Sequence, residues 1–464
     1  MKLNLKNYNK IFFVGIGGIS MSALALLLKG HNKDIVGSDL TKTKITKNLK
    51  SKGIKVYYKH KSSNIKGCDL VVFSGAVTSK NPEIIKAKES GIPVIERSQL
   101  LYLISKEYKN VIAISGTHGK TTTTAMIAYI FMICGLKPTV HIGGEFESIS
   151  GNIMLGDKDY FITEACEFRD SFLKLRPTVS IINNIELEHL DYFKNFENEV
   201  KSFNKFANYT KKSCFINGKY KNLIKTKNNL VTYGYSNANN LYARNIHKDC
   251  DCKYVFDCYK GKIYIGNFKL NVYGKHNIEN ALGAIAVCLE YGIDYNVIYL
   301  GLKTFNNVHR RFEVVGTYKD CLMIHDYAHH PTEILNTIKT CKEVFKKKVV
   351  CVFQPHTYSR TKTLLDNFSK CFDGLDCLFL LKTYSAREKF EYLGSADYLK
   401  DSILKSNPSF LVRGAYSKNE FIKKIKKENL SDCVLLFLGA GDIEKLPNKL
   451  AKKKDMFVNV NKKT

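Results

Sequence analysis

The chain has 464 residues, of which 44% are hydrophobic and 25% are charged, as expected for a globular protein of roughly two to four domains. It contains no apolar run of roughly eighteen residues, and its N-terminus has no apolar signal-peptide core. We therefore expect no membrane span and no secretory signal, and we expect a cytoplasmic location.

The 72 basic residues outnumber the 43 acidic ones, which gives a formal net charge of +29. A nucleic-acid-binding surface is one interpretation of this excess. Lysines are spread along the whole chain, however, and only residues 449–454 form a basic block, so a general lysine-rich background is favoured. The fourteen cysteines have no repeated spacing, which indicates reduced thiols rather than a disulfide framework.

The first segment, residues 1–106, alternates strands and helices, which predicts a parallel, Rossmann-like sheet. The predicted elements are strands at Lys10–Val14, Ile35–Asp39, Leu70–Ser74 and Pro93–Ile95, and a helix at Met21–Lys29.

A glycine turn follows the first of these strands. Gly15, Gly17 and Gly18 resemble the G-x-G-x-x-G turn, with a serine in place of the last glycine. Asp39 follows at about the distance of a ribose-binding acid, and Ser74 ends another strand that could line the same crevice. The turn favours a bound nucleotide, although small residues in such turns can also serve packing alone.

The second segment, residues 107–307, opens with a strand at Val111–Ile114 and a phosphate-binding loop. Backbone N–H groups of such a loop bind phosphate oxygens, Lys120 supplies a positive charge for the β- and γ-phosphates, and Thr121 can ligate Mg²⁺. The loop is a shortened variant, because Ile114 stands where the strict pattern has a glycine. The loop residues predicted to bind ATP are Gly116, Thr117, His118, Gly119, Lys120, Thr121 and Thr122.

Acidic residues and a histidine follow the next two predicted strands, which are Tyr160–Thr163 and Val179–Ile182. Glu164 ends the first strand, and the second leads to Glu186, Glu188 and His189. Carboxylate and imidazole groups at strand ends beside a phosphate site are ligand types for a divalent cation. For Glu186 and Glu188 we favour a role as surface charges over a role as ligands.

Residues 210–270 are expected to be more irregular. The cysteines in this region are Cys250, Cys252 and Cys258. Zinc is disfavoured there, because a fourth ligand at suitable spacing is missing. Residues 274–280 precede a helix predicted at Ala281–Glu290, and such a polar helix start can bind a base or phosphate or simply cap the helix.

The third segment, residues 308–464, again alternates strands and helices. The predicted strands are Leu322–His325, Val349–Phe353, Cys377–Leu381 and Val434–Leu438. Each is followed by unusual polar residues, among which are Asp326, His329, His330, His356, Arg360 and Arg387. Because ligands of open α/β sheets bind at the carboxyl ends of strands, these residues predict a further binding surface.

The chain resembles the Mur ligases of peptidoglycan synthesis over essentially its whole length. The shared motifs are GIGGISMS from Gly15, GTHGKTTTT from Gly116, TEACE from Thr163, NIELEH from Asn184, GKHNIENA from Gly274, HRRFE from His309, HDYAHHP from His325, FQPHTYSR from Phe353 and GAGDI from Gly439. Their number and order make the resemblance specific. The N-terminal glycine motif and the His-His-Pro motif match the alanine-adding branch of the family.

The resemblance implies an α/β protein of three domains: a Rossmann-like UDP-binding domain at 1–106, a phosphate-loop ATPase domain at 107–307 and a Rossmann-like domain at 308–464. It also implies an ATP- and Mg²⁺-dependent enzyme that joins L-alanine to the carboxylate of UDP-N-acetylmuramate through an acyl phosphate. This reaction depends on positioning and charge stabilisation, with no covalent protein intermediate. A monomer or weak dimer without nucleic-acid or membrane partners is expected.

Roles of individual residues are also implied by the resemblance. Lys120, Glu164, His189 and Arg311 are the expected catalytic residues. Thr121 is expected to hold a first Mg²⁺, and Glu164 and His189 are expected to hold a second. ATP binding adds His276, Asn277, Asn280, Arg311 and Asp326 to the loop. The UDP-sugar is expected at Gly15, Gly17, Gly18, Asp39, Ser74, His329 and His330. The amino-acid side is expected at His356, Arg360 and Arg387.

Two departures from the family pattern and two alternative functions remain. Glu188 stands before His189 where the family commonly has Asp, and we expect a tuned site rather than a lost one. Cys166 lies between two acids, and a lowered thiol pKa would make activity sensitive to thiol reagents. The alternatives are a ligase that attaches a murein tripeptide to the same UDP-sugar and, in a different class, a basic nucleic-acid-binding ATPase.

Overall fold

The computed structural model describes residues 3–451, in which strands and helices form three separate sheets with their helices. Of the basic block expected at the C-terminus, residues 452–454 lie outside the described residues. The longest helices between residues 3 and 451 have 15 residues, and none is long and apolar enough to cross a membrane.

The N-terminal sheet has five parallel strands in the order β3-β2-β1-β4-β5. Its strands are β1 Lys10–Val14, β2 Asp34–Ser38, β3 Lys55–Tyr57, β4 Leu70–Phe73 and β5 Val94–Glu96. Its helices are α1 Ile19–Gly30, α2 Lys44–Ser51, α3 Pro82–Glu89 and α4 Arg97–Ser105. The four predicted strands and the predicted helix of this segment are confirmed, with shifts of one or two residues at their ends.

The central sheet has ten strands in the order β15-β14-β13-β12-β11-β10-β6-β9-β7-β8. Its strands are β6 Asn110–Ser115, β7 Thr139–Phe146, β8 Gly151–Met154, β9 Tyr160–Glu164, β10 Val179–Ile182, β11 Ser213–Asn217, β12 Asn229–Gly234, β13 Leu241–Lys248, β14 Tyr254–Lys260 and β15 Ile263–Lys269. Its helices are α5 Lys120–Ile133, α6 Leu190–Phe193, α7 Phe196–Tyr209, α8 His276–Glu290 and α9 Tyr295–Thr304. The expectation that residues 210–270 are irregular was wrong, because the strands β11 to β15 lie there.

The C-terminal sheet has six strands in the order β16-β17-β21-β18-β19-β20, and only the β16–β17 pair is antiparallel. Its strands are β16 Glu313–Tyr318, β17 Cys321–Asp326, β18 Lys348–Phe353, β19 Cys377–Leu381, β20 Val412–Tyr416 and β21 Cys433–Leu438. Its helices are α10 Pro331–Phe345, α11 Tyr358–Thr363, α12 Leu365–Phe368, α13 Ala396–Ser406, α14 Lys418–Ile425 and α15 Lys445–Leu450. All four predicted strands of this segment are confirmed.

The parallel strands at the centre of each sheet are buried on both faces, as their continuous apolar runs require. Every residue of β10 and of β21 is buried, for example. Polar residues are therefore concentrated just beyond the strands. The residues after β6, β9 and β10 of the central sheet and after β17 and β18 of the C-terminal sheet supply most of the side chains described next.

Candidate active site

The phosphate loop links β6 to α5 through two glycines with positive φ. Gly116 has φ +123° and Gly119 has φ +77°, a left-handed conformation that favours glycine. Thr117 fixes the middle of the loop, because its hydroxyl accepts from the Glu186 N–H at 2.9 Å and donates to the Glu186 carbonyl at 3.2 Å. The His118 N–H donates to Asn184 Oδ1 at 2.7 Å. The loop is thus held from outside by the segment that follows β10.

Lys120 is surrounded by oxygen atoms. Its Nζ donates to the carbonyls of Gly116 and Thr117 and to both carboxylate oxygens of Glu167, at 3.2 and 3.1 Å. Burial alone would lower the pKa of Lys120, but the Glu167 carboxylate outweighs it and holds the pKa above its ordinary value. Lys120 is therefore a charged, positioned ammonium group beside the loop backbone.

Glu164 and His189 lie near this lysine but do not contact each other through any hydrogen bond or ion pair among residues 3–451. Glu164 Oε1 accepts from the Gly143 N–H at 2.6 Å, whereas no hydrogen bond is found for its Oε2 within that range. His189 Nε2 lies 3.8 Å from Glu167 Oε1, and burial lowers the pKa of His189. A carboxylate oxygen without a partner, a neutral imidazole and the Thr121 hydroxyl are donors that fit Mg²⁺ beside phosphates.

A cavity of about 350 Å³ lies between the central and C-terminal sheets. It brings together most of the residues expected to bind ATP, namely His118, Gly119, Thr122, His276, Asn277, Asn280, Arg311 and Asp326. Gly116, Thr117, Lys120 and Thr121 are not among its lining residues. Aromatic side chains that the sequence analysis missed also line it: Tyr220, Tyr233, Tyr273 and Phe312. A cavity with aromatic walls and a phosphate loop at one end suits a nucleotide.

The amides at the start of α8 form a fixed hydrogen-bond network. Asn277 donates to the Tyr273 carbonyl at 2.6 Å, and Asn280 donates to Asn277 Oδ1 at 2.9 Å. Asn280 Oδ1 accepts from the Thr123 hydroxyl at 3.3 Å, which connects α8 to the helix of the phosphate loop. Helix α8 begins at His276, five residues before the predicted start, so the motif lies within the helix rather than before it.

Asp326 ends β17, is buried and lines the cavity from the C-terminal domain. Its carboxylate accepts from the N–H groups of Phe312 and Ala328, each at 2.7 Å. Burial raises the pKa of Asp326 to about 6, although the nearby Arg311 opposes this shift. Asp326 thereby fixes the segment that carries Arg311, which lines the same cavity.

A cluster of imidazoles and carboxylates joins the phosphate loop to the C-terminal domain. His118 Nδ1 lies 3.2 Å from Glu333 Oε1, and His118 Nε2 lies 3.4 Å from Glu186 Oε2. Burial opposes charge on His118, but Glu333 and then Glu186 raise its pKa to about 9. The ring of His330 lies 4.5 Å from that of His118, and Thr332 donates to Glu186 Oε2 at 2.7 Å.

Glu188 and Arg360 form a second connection between these two domains. Arg360 Nε lies 3.0 and 3.3 Å from the two oxygens of Glu188, and the side chains are only 11% and 8% exposed. Arg360 also donates to the His356 carbonyl at 3.0 Å, and the ring of His356 lies 6.0 Å from that of His329. The expectation that Glu186 and Glu188 are surface charges was therefore wrong, since both make buried or half-buried contacts across the domain boundary.

Arg387 does not join this group. It is exposed, and within residues 3–451 no hydrogen bond or ion pair involves it. Its neighbour Glu388 accepts from the Ser359 N–H at 3.0 Å, which keeps the loop after β19 close to the start of α11. Burial lowers the pKa of His329 to about 3 and that of His356 to about 4, so both are neutral imidazoles.

The N-terminal glycine turn is closed by the acid that was expected to bind a ribose. The Gly17 N–H donates to Asp39 Oδ2 at 2.9 Å, and a Cβ on Gly17 would lie only 2.7 Å from that oxygen. Gly15 has φ +79° and lies beside Ser74, and Gly18 directly precedes α1. No hydrogen bond, ion pair or ring contact within the described range joins this turn to His329 or His330.

A chain of polar side chains leads from the N-terminal domain to Glu164. Arg97 donates to Ser20 Oγ at 3.1 Å, and Ser20 Oγ lies 2.9 Å from His141 Nε2. His141 Nδ1 lies 2.9 Å from Thr163 Oγ1, and Thr163 donates to the Glu164 carbonyl at 3.0 Å. His141 is buried, and burial together with Arg97 lowers its pKa to about 3. His141 was not predicted as a site residue, because it stands in an ordinary strand pattern.

The pKa of Cys166 differs from the expectation. Burial and then the Glu167 carboxylate raise the pKa of Cys166, so the expected lowering was wrong. Cys258 is buried in β14, Cys250 is exposed, and the only metal-binding geometry found among residues 3–451 involves other residues.

Models of the Mur ligase family match three stretches of the chain: the family's catalytic domain at residues 10–109, its middle domain at 114–288 and its glutamate ligase domain at 310–441. The chain belongs to the Mur ligase family, whose members are ATP-dependent ligases. It is 44% identical to the UDP-N-acetylmuramate–L-alanine ligase of Clostridium botulinum, with 98% of this chain and 99% of that protein covered.

Two solved structures have the same architecture. The UDP-N-acetylmuramate-alanine ligase MurC of Thermotoga maritima is 31% identical, with a TM-score of 0.80 over 95% of this chain and 98% of that one. A murein peptide ligase of Psychrobacter arcticus is 22% identical, with a TM-score of 0.72 over 95% and 98% of the two chains, and this shows a shared fold alone. The expected three-domain α/β fold is thereby confirmed.

Proposed function

We propose that this protein joins L-alanine to the carboxylate of UDP-N-acetylmuramate at the expense of ATP, as the first peptide-forming step of peptidoglycan precursor synthesis. The names and high coverage of its relatives support this reaction. The proposal that ATP binds here is supported by the cavity, which is lined by part of the phosphate loop, by the amides of α8, and by Arg311 and Asp326 of the C-terminal domain.

The nucleotide would lie with its base near Asn277 and Asn280 and its phosphates along the loop from Gly116. Lys120 would then exchange its hydrogen bonds to the loop carbonyls and Glu167 for hydrogen bonds to the β- and γ-phosphates. Arg311, on the opposite wall, adds a second positive charge to the transferred phosphoryl group. Both cations act through position and charge, which is how phosphoryl transfer is accelerated.

Thr121 would hold a first Mg²⁺, and Glu164 and His189 would hold a second; both ions would neutralise charge on ATP and on the acyl group. Oxygen donors dominate this set, and the second oxygen of Glu164 makes no hydrogen bond within the described residues. Neighbouring groups position these ligands. The Gly143 N–H donates to Glu164, and Glu167 lies beside the His189 ring.

The UDP moiety would bind at the N-terminal turn, with Gly15, Gly17 and Gly18 close to its phosphates and Asp39 and Ser74 beside it. The muramate carboxylate would then point toward Glu164. His329, His330, His356, Arg360 and Arg387 are proposed to face the muramate and the incoming alanine. His329 and His356 are neutral there, so their free ring nitrogens can accept hydrogen bonds from the alanine ammonium and orient it.

The remaining expectations are kept as part of this proposal: domain boundaries near 106/107 and 307/308, a cytoplasmic location, a monomer or weak dimer, and no nucleic-acid partner. Sedimentation of the purified chain tests the oligomeric state. An assembly larger than a dimer that is stable at micromolar concentration would contradict the expected monomer or weak dimer.

Phosphate release from Mg-ATP with UDP-N-acetylmuramate present tests the reaction, with L-alanine, the murein tripeptide or duplex DNA added in turn. Release that requires both the UDP-sugar and L-alanine is expected. It should be lost in Lys120→Ala and kept in Lys262→Ala, a matched control at an exposed position in the turn between β14 and β15. Release driven by the tripeptide would instead favour the murein peptide ligase, and stimulation by DNA without the UDP-sugar would favour a nucleic-acid-dependent ATPase.

A further inference from the structure

The cluster between the phosphate loop and α10 has the composition of a transition-metal site. One ligand atom from each of His118, Glu186 and His330 lies within 4.8 Å of the other two. His118 and Glu186 belong to the central domain, whereas His330 precedes α10 of the C-terminal domain. None of the three belongs to the set expected to hold Mg²⁺.

The distances are close to those that a bound ion requires. Two ligand atoms of a tetrahedral zinc ion, each about 2.1 Å from the metal, lie about 3.4 Å apart. His118 Nε2 and Glu186 Oε2 are 3.4 Å apart, and His330 Nδ1 is 4.0 Å from the same oxygen. A bound ion would draw His330 closer to Glu186, and the His118 and His330 ligand atoms already lie within 4.8 Å of each other.

Unpaired nitrogen atoms provide a second, independent observation. His118 Nε2, the nitrogen that faces Glu186, is buried without a hydrogen bond, and His330 is 5% exposed with its Nε2 unpaired. His330 Nδ1, the nitrogen 4.0 Å from Glu186, accepts only a long bond, 3.4 Å from the Thr332 N–H, which a bound ion would replace. Buried imidazole nitrogens without partners are costly unless another ligand satisfies them.

Glu333 completes the pattern from outside the three ligands. Its Oε1 lies 3.2 Å from His118 Nδ1, the ring nitrogen that faces away from Glu186. A carboxylate that accepts from the far nitrogen of a ligating histidine orients the ring and raises its basicity, an arrangement typical of zinc sites. The Glu333 side chain is only 14% exposed, so its surroundings at the start of α10 restrict this orientation.

We propose that His118, Glu186 and His330 form a binding site for a divalent transition-metal ion of the Zn²⁺ class, which links the phosphate loop to the C-terminal domain. Two imidazoles with one carboxylate favour Zn²⁺ or Co²⁺ over Mg²⁺, because Mg²⁺ prefers an all-oxygen shell. The ion takes the place of the proton on His118 as the positive charge between Glu186 and Glu333.

Titration of the full-length protein with Co²⁺, without ATP or other substrates, tests this site. The expected result is one bound ion, a visible d–d absorption band and no sulfur-to-cobalt charge-transfer band. His330→Ser keeps a side-chain cap for α10 while removing the imidazole, and Glu186→Gln keeps the shape of the carboxylate. Each should weaken Co²⁺ binding by about tenfold or more.

His247→Ser is the matched control, because His247 is exposed on β13 and should leave Co²⁺ binding unchanged. Thermal unfolding without metal shows that each variant is folded, and Co²⁺ should raise the midpoint of the wild type but not of His330→Ser. No binding by the wild type, equal binding by all variants, or a sulfur charge-transfer band would overturn the proposal. Because the titration needs no ligase substrate, its failure is independent of the proposed reaction.

Discussion

Gly119→Ala tests the geometry of the nucleotide cavity most directly. Gly119 has a left-handed backbone at the start of α5, and a Cβ there would overlap Asn280 Oδ1 and lie 3.1 Å from Asn183 Nδ2. Gly135, which follows the other end of the same helix, offers a matched control. Its φ is +80°, and a Cβ there would meet nothing within 4 Å.

The two substitutions share one cost and differ in another. Alanine in a left-handed conformation costs about 1 kcal/mol at either position. At Gly119 the new methyl group must also displace the Asn280 amide, which breaks its bonds to Thr123 and Asn277, at 3.3 and 2.9 Å. Two such bonds contribute about 2 kcal/mol, which corresponds to about 30-fold in affinity if nucleotide binding requires the native arrangement.

Isothermal titration with ATP, on wild type and both variants, measures this difference. We expect Gly119→Ala to bind ATP about 30-fold more weakly and Gly135→Ala to bind it as the wild type does, although both unfold at slightly lower urea concentration. Equal ATP affinity of the two variants would refute the reasoning, because it would mean that the Asn280 network does not form part of the nucleotide site.

Three further predictions concern single side chains. Glu188→Gln removes the charge opposite the buried Arg360 and should lower the free energy of unfolding in urea by about 3–5 kcal/mol. Glu391→Gln, whose ion pair is half-exposed, should lower it by less than about 1 kcal/mol. Equal losses would contradict a buried pair. Burial raises the pKa of Glu199 from 4.5 to about 8, so the folded chain keeps a proton that the unfolded chain releases. The free energy of unfolding of the wild type should therefore fall by up to about 5 kcal/mol as the pH rises between those two values. Glu199→Gln should abolish that fall, and an unchanged pH profile in this variant would contradict the prediction. Because the pKa of Cys166 is raised, brief iodoacetamide treatment at neutral pH should leave phosphate release intact, and rapid inactivation at Cys166 would show the thiol to be ionised.

Strands were predictable wherever the sheet is parallel and buried, because such strands are continuous apolar runs. The strands β10 and β19 were predicted with their observed bounds. The region at 210–270 was harder because β14 alternates buried and half-buried residues, with polar side chains between the apolar ones. That alternation is the signal of a sheet with one partly exposed face, and it could have been read from the sequence.

The phosphate loop was predictable because all its parts are adjacent in sequence. The partners of Glu186 and Glu188 were not, because Thr332 lies 146 residues beyond Glu186 and Arg360 lies 172 residues beyond Glu188. A charged residue in a single sequence gives no indication of a partner at that distance. The packing of the C-terminal domain against the central one therefore decides whether these acids are solvated or buried.

The side chains from Arg97 to Glu164 permit only one arrangement of hydrogens. The Glu164 carbonyl can only accept, so Thr163 gives it its proton and must itself accept from His141 Nδ1. Neutral His141 then has an unprotonated Nε2, which accepts from the Ser20 hydroxyl, while Ser20 accepts from Arg97. Every O–H and N–H dipole in the series therefore points the same way, from the guanidinium in the N-terminal domain to the strand end in the central one. A negative charge that draws Arg97 away would remove the first donor of the series, so a group that binds near Arg97 is coupled through Ser20 and His141 to the strand that carries Glu164.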